Sequence, residues 1–290
     1  MTRFLLIGAG YSARAFAALA RADGFDVTGT TRSVDRLDDL RRQGIDAYVF
    51  GGGEISPDLR TELGRATHLV VSAGPSEAGD PFLATARGPG RAEMPALRWI
   101  GYLSTVGVYG DHDGAWVTEQ SQCSPRPGRS DMRLEAEGEW TAFAAGLGTP
   151  LAILRLSGIY GPGRNAFVNL ANGTARRIVK PGQVFNRIHV DDIAGALKHL
   201  AAGETPGVFN VTDDEPSPPQ DVIGFAAGLM GVEPPPEIDF ATATLTPMAR
   251  SFYGETKRVS NAKLKATGYT MRWPNYRVAL TDMWARQDWR

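Results

Sequence analysis

The chain has 290 residues, 42% hydrophobic and 22% charged, which is ordinary for a globular protein and excludes wholesale disorder. With 31 basic against 32 acidic side chains the net charge is −1, so no broad cationic surface exists to neutralise nucleic acid or an anionic bilayer, and neither is expected as a partner. The single cysteine, Cys123, excludes an intrachain disulfide and a cysteine-based metal cluster.

This length suits one large α/β domain with a smaller attached lobe. The first residues, Met-Thr-Arg, lead directly into a strand-like segment with no apolar signal region ahead of it, so a cytoplasmic location is expected. The longest apolar stretches, such as Phe4 to Ile7, fall far below the roughly 20 residues that span a bilayer. Strands are predicted near 3–7, 25–30, 46–50, 68–72, 98–104 and 151–156, with helical stretches between them, the pattern of a parallel sheet with crossover helices. Several are continuously apolar, as strands covered on both faces are. A helix is predicted from Ser12 to Ala22, with Ala15, Phe16 and Leu19 at helical spacing. Cys123 falls among Ser, Gln and Pro in a predicted loop with nothing to mark it as a nucleophile.

After Tyr160 the character changes. Gly161-Pro162-Gly163 breaks the pattern, and prolines gather at 216, 218, 219 and 234–236. We therefore divide the chain into residues 1–160 and a smaller, loop-rich lobe over 161–290, with a segment near 183–205 packing back on the first. That segment holds a helix predicted from about 192 to 202, with Asp191 as its N-cap.

Phe4-Leu5-Leu6-Ile7 runs into Gly8-Ala9-Gly10-Tyr11-Ser12-Ala13, a G-x-G-x-x-A turn between strand and helix. Gly8 permits the tight turn, Gly10 lets the backbone approach a pyrophosphate, and Ala13 allows close helix–strand packing. The start of the following helix, at Tyr11, Ser12 and Ala13, is where the helix dipole favours phosphate. This predicts a Rossmann-type, doubly wound parallel sheet that binds a dinucleotide. At the ribose position some 20 residues on stand Thr30-Thr31-Arg32-Ser33, with no carboxylate to repel a 2′-phosphate. Arg32 offers a cationic fork and Ser33 a hydroxyl, so NADP is favoured over NAD.

Five ordered segments together resemble the extended short-chain dehydrogenase/reductase superfamily, the epimerase/dehydratase group, and more closely its atypical branch. They are Gly8 to Ala13, Tyr102-Leu103-Ser104-Thr105-Val106-Gly107-Val108-Tyr109-Gly110, Arg155-Leu156-Ser157-Gly158-Ile159-Tyr160-Gly161-Pro162-Gly163-Arg164, Arg187-Ile188-His189-Val190-Asp191-Asp192, and Gly207-Val208-Phe209-Asn210-Val211. The resemblance implies a C-terminal substrate lobe, a small-molecule substrate and a monomer or homodimer. It implies that Thr105 hydrogen-bonds the substrate's reacting oxygen, that Ser157 and Gly158 pass close to the nicotinamide, and that Ser72, Ala73 and Gly74 line the cofactor's central part.

Two departures stand out. The Tyr-x-x-x-Lys pair of that superfamily, expected about 24 residues after Thr105, is replaced by Arg129 and Arg133. The tyrosine must lose and regain a proton, which a permanently charged guanidinium cannot do, so Arg129 is no substitute base. Arg133 can still hold ribose or phosphate oxygens. Second, Phe185 occupies the place where nucleotide-sugar epimerases often carry an Arg, which argues against a nucleotide-sugar substrate. Arg187 is expected to face away from that position, and His189 to be a packed residue. Two functions remain open: an NADP-dependent oxidoreductase or epimerase with an unusual acid/base, for which Tyr109, His112 and Tyr160 are the nearest titratable groups, or an NADP-binding sensor that has lost turnover.

Overall fold

A computed structural model describes residues 2–86 and 92–290. In chain order the strands are β1 (Arg3–Ile7), β2 (Asp26–Thr31), β3 (Asp46–Val49), β4 (His68–Val71), β5 (Trp99–Thr105), β6 (Trp116–Val117) and β7 (Leu151–Leu156). They continue with β8 (Gly158–Tyr160), β9 (Arg177–Val179), β10 (Arg187–His189), β11 (Gly207–Val211), β12 (Glu237–Asp239) and β13 (Arg258–Val259). Seven form one sheet in the order β11-β7-β5-β4-β1-β2-β3, and β1 lies parallel to both β2 and β4. All six predicted strands are present. The seventh, β11, was visible in the sequence only as a motif.

The helices that cover this sheet follow from side-chain alternation. We label α1 (Tyr11–Ala22), α2 (Leu37–Arg42), α3 (Pro57–Arg65), α4 (Leu83–Ala86), α5 (Arg129–Leu147), α6 (Ala166–Ala171) and α7 (Val190–Ala202). On one face Leu5, Ile7, Leu69, Val71, Ile100 and Tyr102 pack with Leu59 and Leu63 of α3 and with Trp140 of α5. On the other, Phe4 meets Phe16 of α1 edge-on at 4.9 Å. Gly101 leaves room there for the Trp99 ring and for Leu197 of α7, since a Cβ would lie 2.5 Å and 3.2 Å from them. With both faces covered, the continuous apolar strands have their explanation.

The strand order reverses between β1 and β4, and in open α/β sheets ligands bind beyond the carboxyl ends of the strands at such a point.

The chain forms two compact units. The first comprises Met1–Val108, Pro125–Arg155 and Ile193–Phe209. The second comprises Tyr109–Ser124, Leu156–Asp192 and Asn210–Arg290. The division is thus discontinuous and runs through β7, α7 and β11. A shift in proline content marks loops and does not report which segments pack together.

Within the second unit β8 pairs with β10, β9 with β12 and β6 with β13, all parallel. Its main core gathers Tyr160, Phe167, Trp273, Tyr276, Leu280, Met283 and Trp289. Asp192, fully buried, accepts hydrogen bonds from the Tyr269 hydroxyl at 2.8 Å and from the Arg272 and Trp273 amides at 2.8 and 2.9 Å. Because α7 begins at Val190, Asp191 lies inside its first turn and is not the N-cap. A carboxylate there still complements the positive helix end. Among the described residues no helix is long and apolar enough to cross a membrane, and no group of three or more His, Cys, Asp or Glu could hold a metal.

Candidate functional site

The turn after β1 is built for close approach. Gly8 has φ +89°, and a Cβ on it would sit 2.9 Å from the Ala73 backbone nitrogen, so only glycine fits between this turn and the segment after β4. The Ala73 amide donates to Ile7 O at 2.9 Å, and the Gly8 amide to Thr30 Oγ1 at 2.8 Å. Gly10 is the N-cap of α1 and supplies no side-chain cap, and the first turn holds no acidic residue. A helix N-terminus without a side-chain cap or a carboxylate is a place where an anion is favoured. A Cβ on Gly10 would meet only Ser72 Oγ, at 3.9 Å, which leaves open space in front of the turn with a hydroxyl on its far side. Ser12 and Ala13 are buried against the sheet.

Arg32 follows directly on β2, its stem over Gly51, where a Cβ would lie 2.8 Å from Arg32 Cγ. It is exposed and makes no ion pair to a described residue. Ser33 is half-buried beside it, its amide donating to Thr31 Oγ1 at 3.3 Å.

At the ends of β4 and β5 the remaining predicted residues of the first unit converge. Arg133 donates to Leu103 O, its guanidinium lies 5.9 Å from the Tyr102 ring centre, and a Cβ on Gly74 would be 2.9 Å from its Nη2. Thr105 Oγ1 accepts the Gly107 amide at 3.1 Å. Arg129, the first residue of α5, is exposed. The helix is fixed by buried polar contacts. Glu137 is held by Arg155 Nη2 at 2.7 Å and by Ser104 Oγ at 2.5 Å, and Trp140 Nε1 donates to Asp80 at 3.0 Å.

No family model matches the chain. A functionally unknown conserved protein from Silicibacter pomeroyi DSS is 46% identical, with a TM-score of 0.90 over 99% of this chain and 100% of that one. Protein YeeZ of Escherichia coli (strain K12) is 29% identical over 249 residues, 81% of this chain and 86% of YeeZ. A human epimerase family protein solved with NADPH has a TM-score of 0.75 at 19% identity, covering 98% of this chain and 99% of its own. Solved epimerases and dehydratases share the architecture at TM-scores of 0.71–0.76 and identities of 14–24%. These epimerases and dehydratases share the fold of this chain.

Of Arg129 and Arg133, only Arg133 lies beside Leu103 and Gly74, while Arg129 is exposed. The remaining candidates fall in the second unit. Ser157 is buried with its Oγ unpartnered, and the Gly158 amide donates to Asn186 O at 3.0 Å. Tyr109 is buried and donates to Asn210 Oδ1 at 2.7 Å, while His112 Nε2 contacts Tyr109 O at 3.1 Å. Burial raises the Tyr160 phenol well above its ordinary value. His189 is packed between the Tyr160 and Trp273 rings, at 5.2 and 5.4 Å, and burial lowers its pKa.

The Arg187 guanidinium reaches Phe185 O at 3.0 Å and Ser217 Oγ at 2.8 Å and lies 6.0 Å from the Tyr276 ring centre, while the Phe185 ring packs on Tyr253 at 5.2 Å. Sequence reasoning also assigned no role to Ser130. A Cβ on Gly107 would lie 2.5 Å from Ser130 Oγ, which places this hydroxyl beside Thr105. Its only signal in the sequence was its position next to Arg129.

Proposed function

We propose that the chain binds a nicotinamide dinucleotide, NADPH in preference to NADH, and uses it for hydride transfer with a small molecule. The observation that carries this reading is the uncapped first turn of α1, opening at Gly10 onto free space where the strand order reverses. Bound there, the nicotinamide supplies a hydride or accepts one. The Tyr11, Ser12 and Ala13 amides hold the pyrophosphate, Ser72 to Gly74 face its central part, and Arg32 with Ser33 receives the 2′-phosphate. Arg133 takes the ribose-holding part of the missing lysine, and Thr105 donates to the reacting oxygen.

A second reading, an NADP-binding sensor without turnover, is favoured by one observation. Arg129, which the sequence resemblance sets where an acid/base tyrosine is expected, is an exposed arginine.

Calorimetric titration tests the cofactor assignment. NADPH is expected to bind roughly tenfold or more tightly than NADH, the worth of charge-assisted hydrogen bonds to one phosphate. Arg32→Asp is expected to reverse the preference. A wild type that prefers NADH would overturn the assignment of Arg32. Consumption of NADPH with any member of a metabolite panel separates enzyme from sensor.

A further inference from the structure

Resting on the hydride-transfer reading above, we infer that Ser130 and Thr105 form a paired-hydroxyl site for a carbonyl oxygen, and that the substrate is an aldehyde, ketone or quinone. At the end of β5 the chain turns through Gly107, whose amide occupies one lone pair of Thr105 Oγ1 and leaves that hydroxyl's hydrogen to be donated elsewhere. The start of α5 brings Ser130 over the same turn. Taking the position of a Cβ on Gly107 as a reference point, Ser130 Oγ lies 2.5 Å from it and Thr105 Oγ1 3.3 Å. Any side chain at 107 would collide with Ser130, so the glycine is what lets the two hydroxyls come together. The two distances put the hydroxyl oxygens no more than 5.8 Å apart, and we take one substrate oxygen to accept from both. Ser130 makes no hydrogen bond to a described residue, and neither hydroxyl is a buried, unpartnered group.

Arg133, one turn further along α5, brings a fixed positive charge to the same edge of the sheet beside Leu103 and Gly74. Two hydroxyl donors and a nearby cation stabilise negative charge on oxygen more than they stabilise a neutral carbonyl, which is the difference that lowers a barrier. The reaction balances without a tyrosine. The carbonyl carbon accepts the hydride, and the π pair of C=O becomes a lone pair on oxygen. That oxygen then takes a proton from water through the Ser130 or Thr105 hydroxyl. An alcohol and the oxidised nicotinamide are the products.

The test uses the full chain with saturating NADPH and phenanthrenequinone, an activated carbonyl probe, followed by loss of the nicotinamide absorbance. Wild type is expected to consume NADPH. Ser130→Ala should lower kcat by about 10²–10³-fold, as removal of one oxyanion donor does, with NADPH affinity and melting temperature unchanged. Ser130→Thr, which keeps the hydroxyl, should retain most of the rate. Equal turnover by wild type and Ser130→Ala would overturn the inference, as would a wild type that binds NADPH yet leaves the quinone unreduced. If wild type fails to bind NADPH at all, the hydride-transfer reading falls and takes this one with it.

Discussion

Glu137 in the first unit and Asp213 in the second are both buried carboxylates with an arginine close by, yet they are held on different terms. Glu137, on α5, receives Arg155 Nε at 3.1 Å, Arg155 Nη2 at 2.7 Å and the Ser104 hydroxyl. Asp213, 1% exposed, accepts from the Glu215 amide at 3.2 Å with one oxygen and has no partner for Oδ2 among the described residues. The nearby Arg187 spends its hydrogen bonds on Phe185 and Ser217. Burial therefore dominates, and it pushes the Asp213 carboxyl up to about 8 against the opposing charge of Arg187. An arginine nearby is not the same as an arginine bonded. The bonded pair fixes the helix that carries Ser130 and Arg133, whereas the unbonded one leaves a proton-sensitive fault in the second unit.

Breaking the bonded pair should have the largest effect. Glu137→Ala strands the Arg155 guanidinium in the interior and is expected to cost about 3–5 kcal/mol, read by urea denaturation. Replacing both residues by hydrophobic ones of similar size, Glu137→Leu with Arg155→Met, should cost much less. A double variant as unstable as the single one would show that the pair is worth more than the penalty of leaving one charge alone.

The unbonded carboxylate should respond to pH instead. Asp213 binds its proton more tightly in the folded chain than at its ordinary value of 3.8. Its contribution to stability is therefore fully present below that value and is lost as pH rises towards about 8, at up to about 1.4 kcal/mol per pH unit. Asp213→Asn keeps the shape and removes the titration. Thermal melts of the two proteins should diverge with rising pH, the variant being the more stable, and run parallel above about 8. Parallel curves throughout would mean that Asp213 is paired after all.

Very little of this contrast is legible in the sequence. Glu137 stands in Leu134-Glu135-Ala136-Glu137 and Asp213 in Asp213-Asp214-Glu215, both of which read as solvated charge. Their burial and their partners, 18 residues away for Arg155, are set by tertiary packing. Strands such as β1 and β4 were legible because strands covered on both faces are nearly continuously apolar. The Gly8–Ala13 turn was legible because its glycines are required by backbone approach, a local constraint. Ser130 was not, since a serine between Arg129 and Asp131 reads as an ordinary helix start, and only the space above Gly107 gives it a neighbour.

Open space changes the terms again at Gly10, where the start of α1 has no side-chain cap. Gly10→Val adds a side chain whose first atom meets only Ser72 Oγ at 3.9 Å, so the fold should survive while the pyrophosphate path is blocked. Calorimetry should show no NADPH binding, with an unchanged circular dichroism spectrum. Gly8→Ala is the contrasting control, because its φ of +89° and the 2.9 Å approach to Ala73 N should lower the melting temperature itself. A Gly10→Val protein that still binds NADPH would remove this turn from the site.

The smallest effect is expected at Arg129, a third arginine, neither bonded to a buried carboxylate nor enclosed. It is exposed at the start of α5, and a guanidinium neither gives up nor takes a proton across neutral and mildly alkaline pH. Arg129→Ala should therefore shift the Michaelis constant for a carbonyl probe modestly and remove no ionisation from the pH profile of kcat. The profile is best measured in the Asp213→Asn background, where the carboxyl titrating at about 8 cannot mimic a catalytic group. In that background the rate should be flat where a relay tyrosine would make it change. Arg129→Tyr with Arg133→Lys introduces a Tyr-x-x-x-Lys pair at the spacing that the sequence resemblance leads one to expect. An ionisation should then enter the profile, because a phenol beside an ammonium can exchange a proton with the reacting oxygen. A wild-type ionisation that vanishes in Arg129→Ala would place an acid/base under that arginine's control, and proton delivery by water through the two hydroxyls would have to be given up.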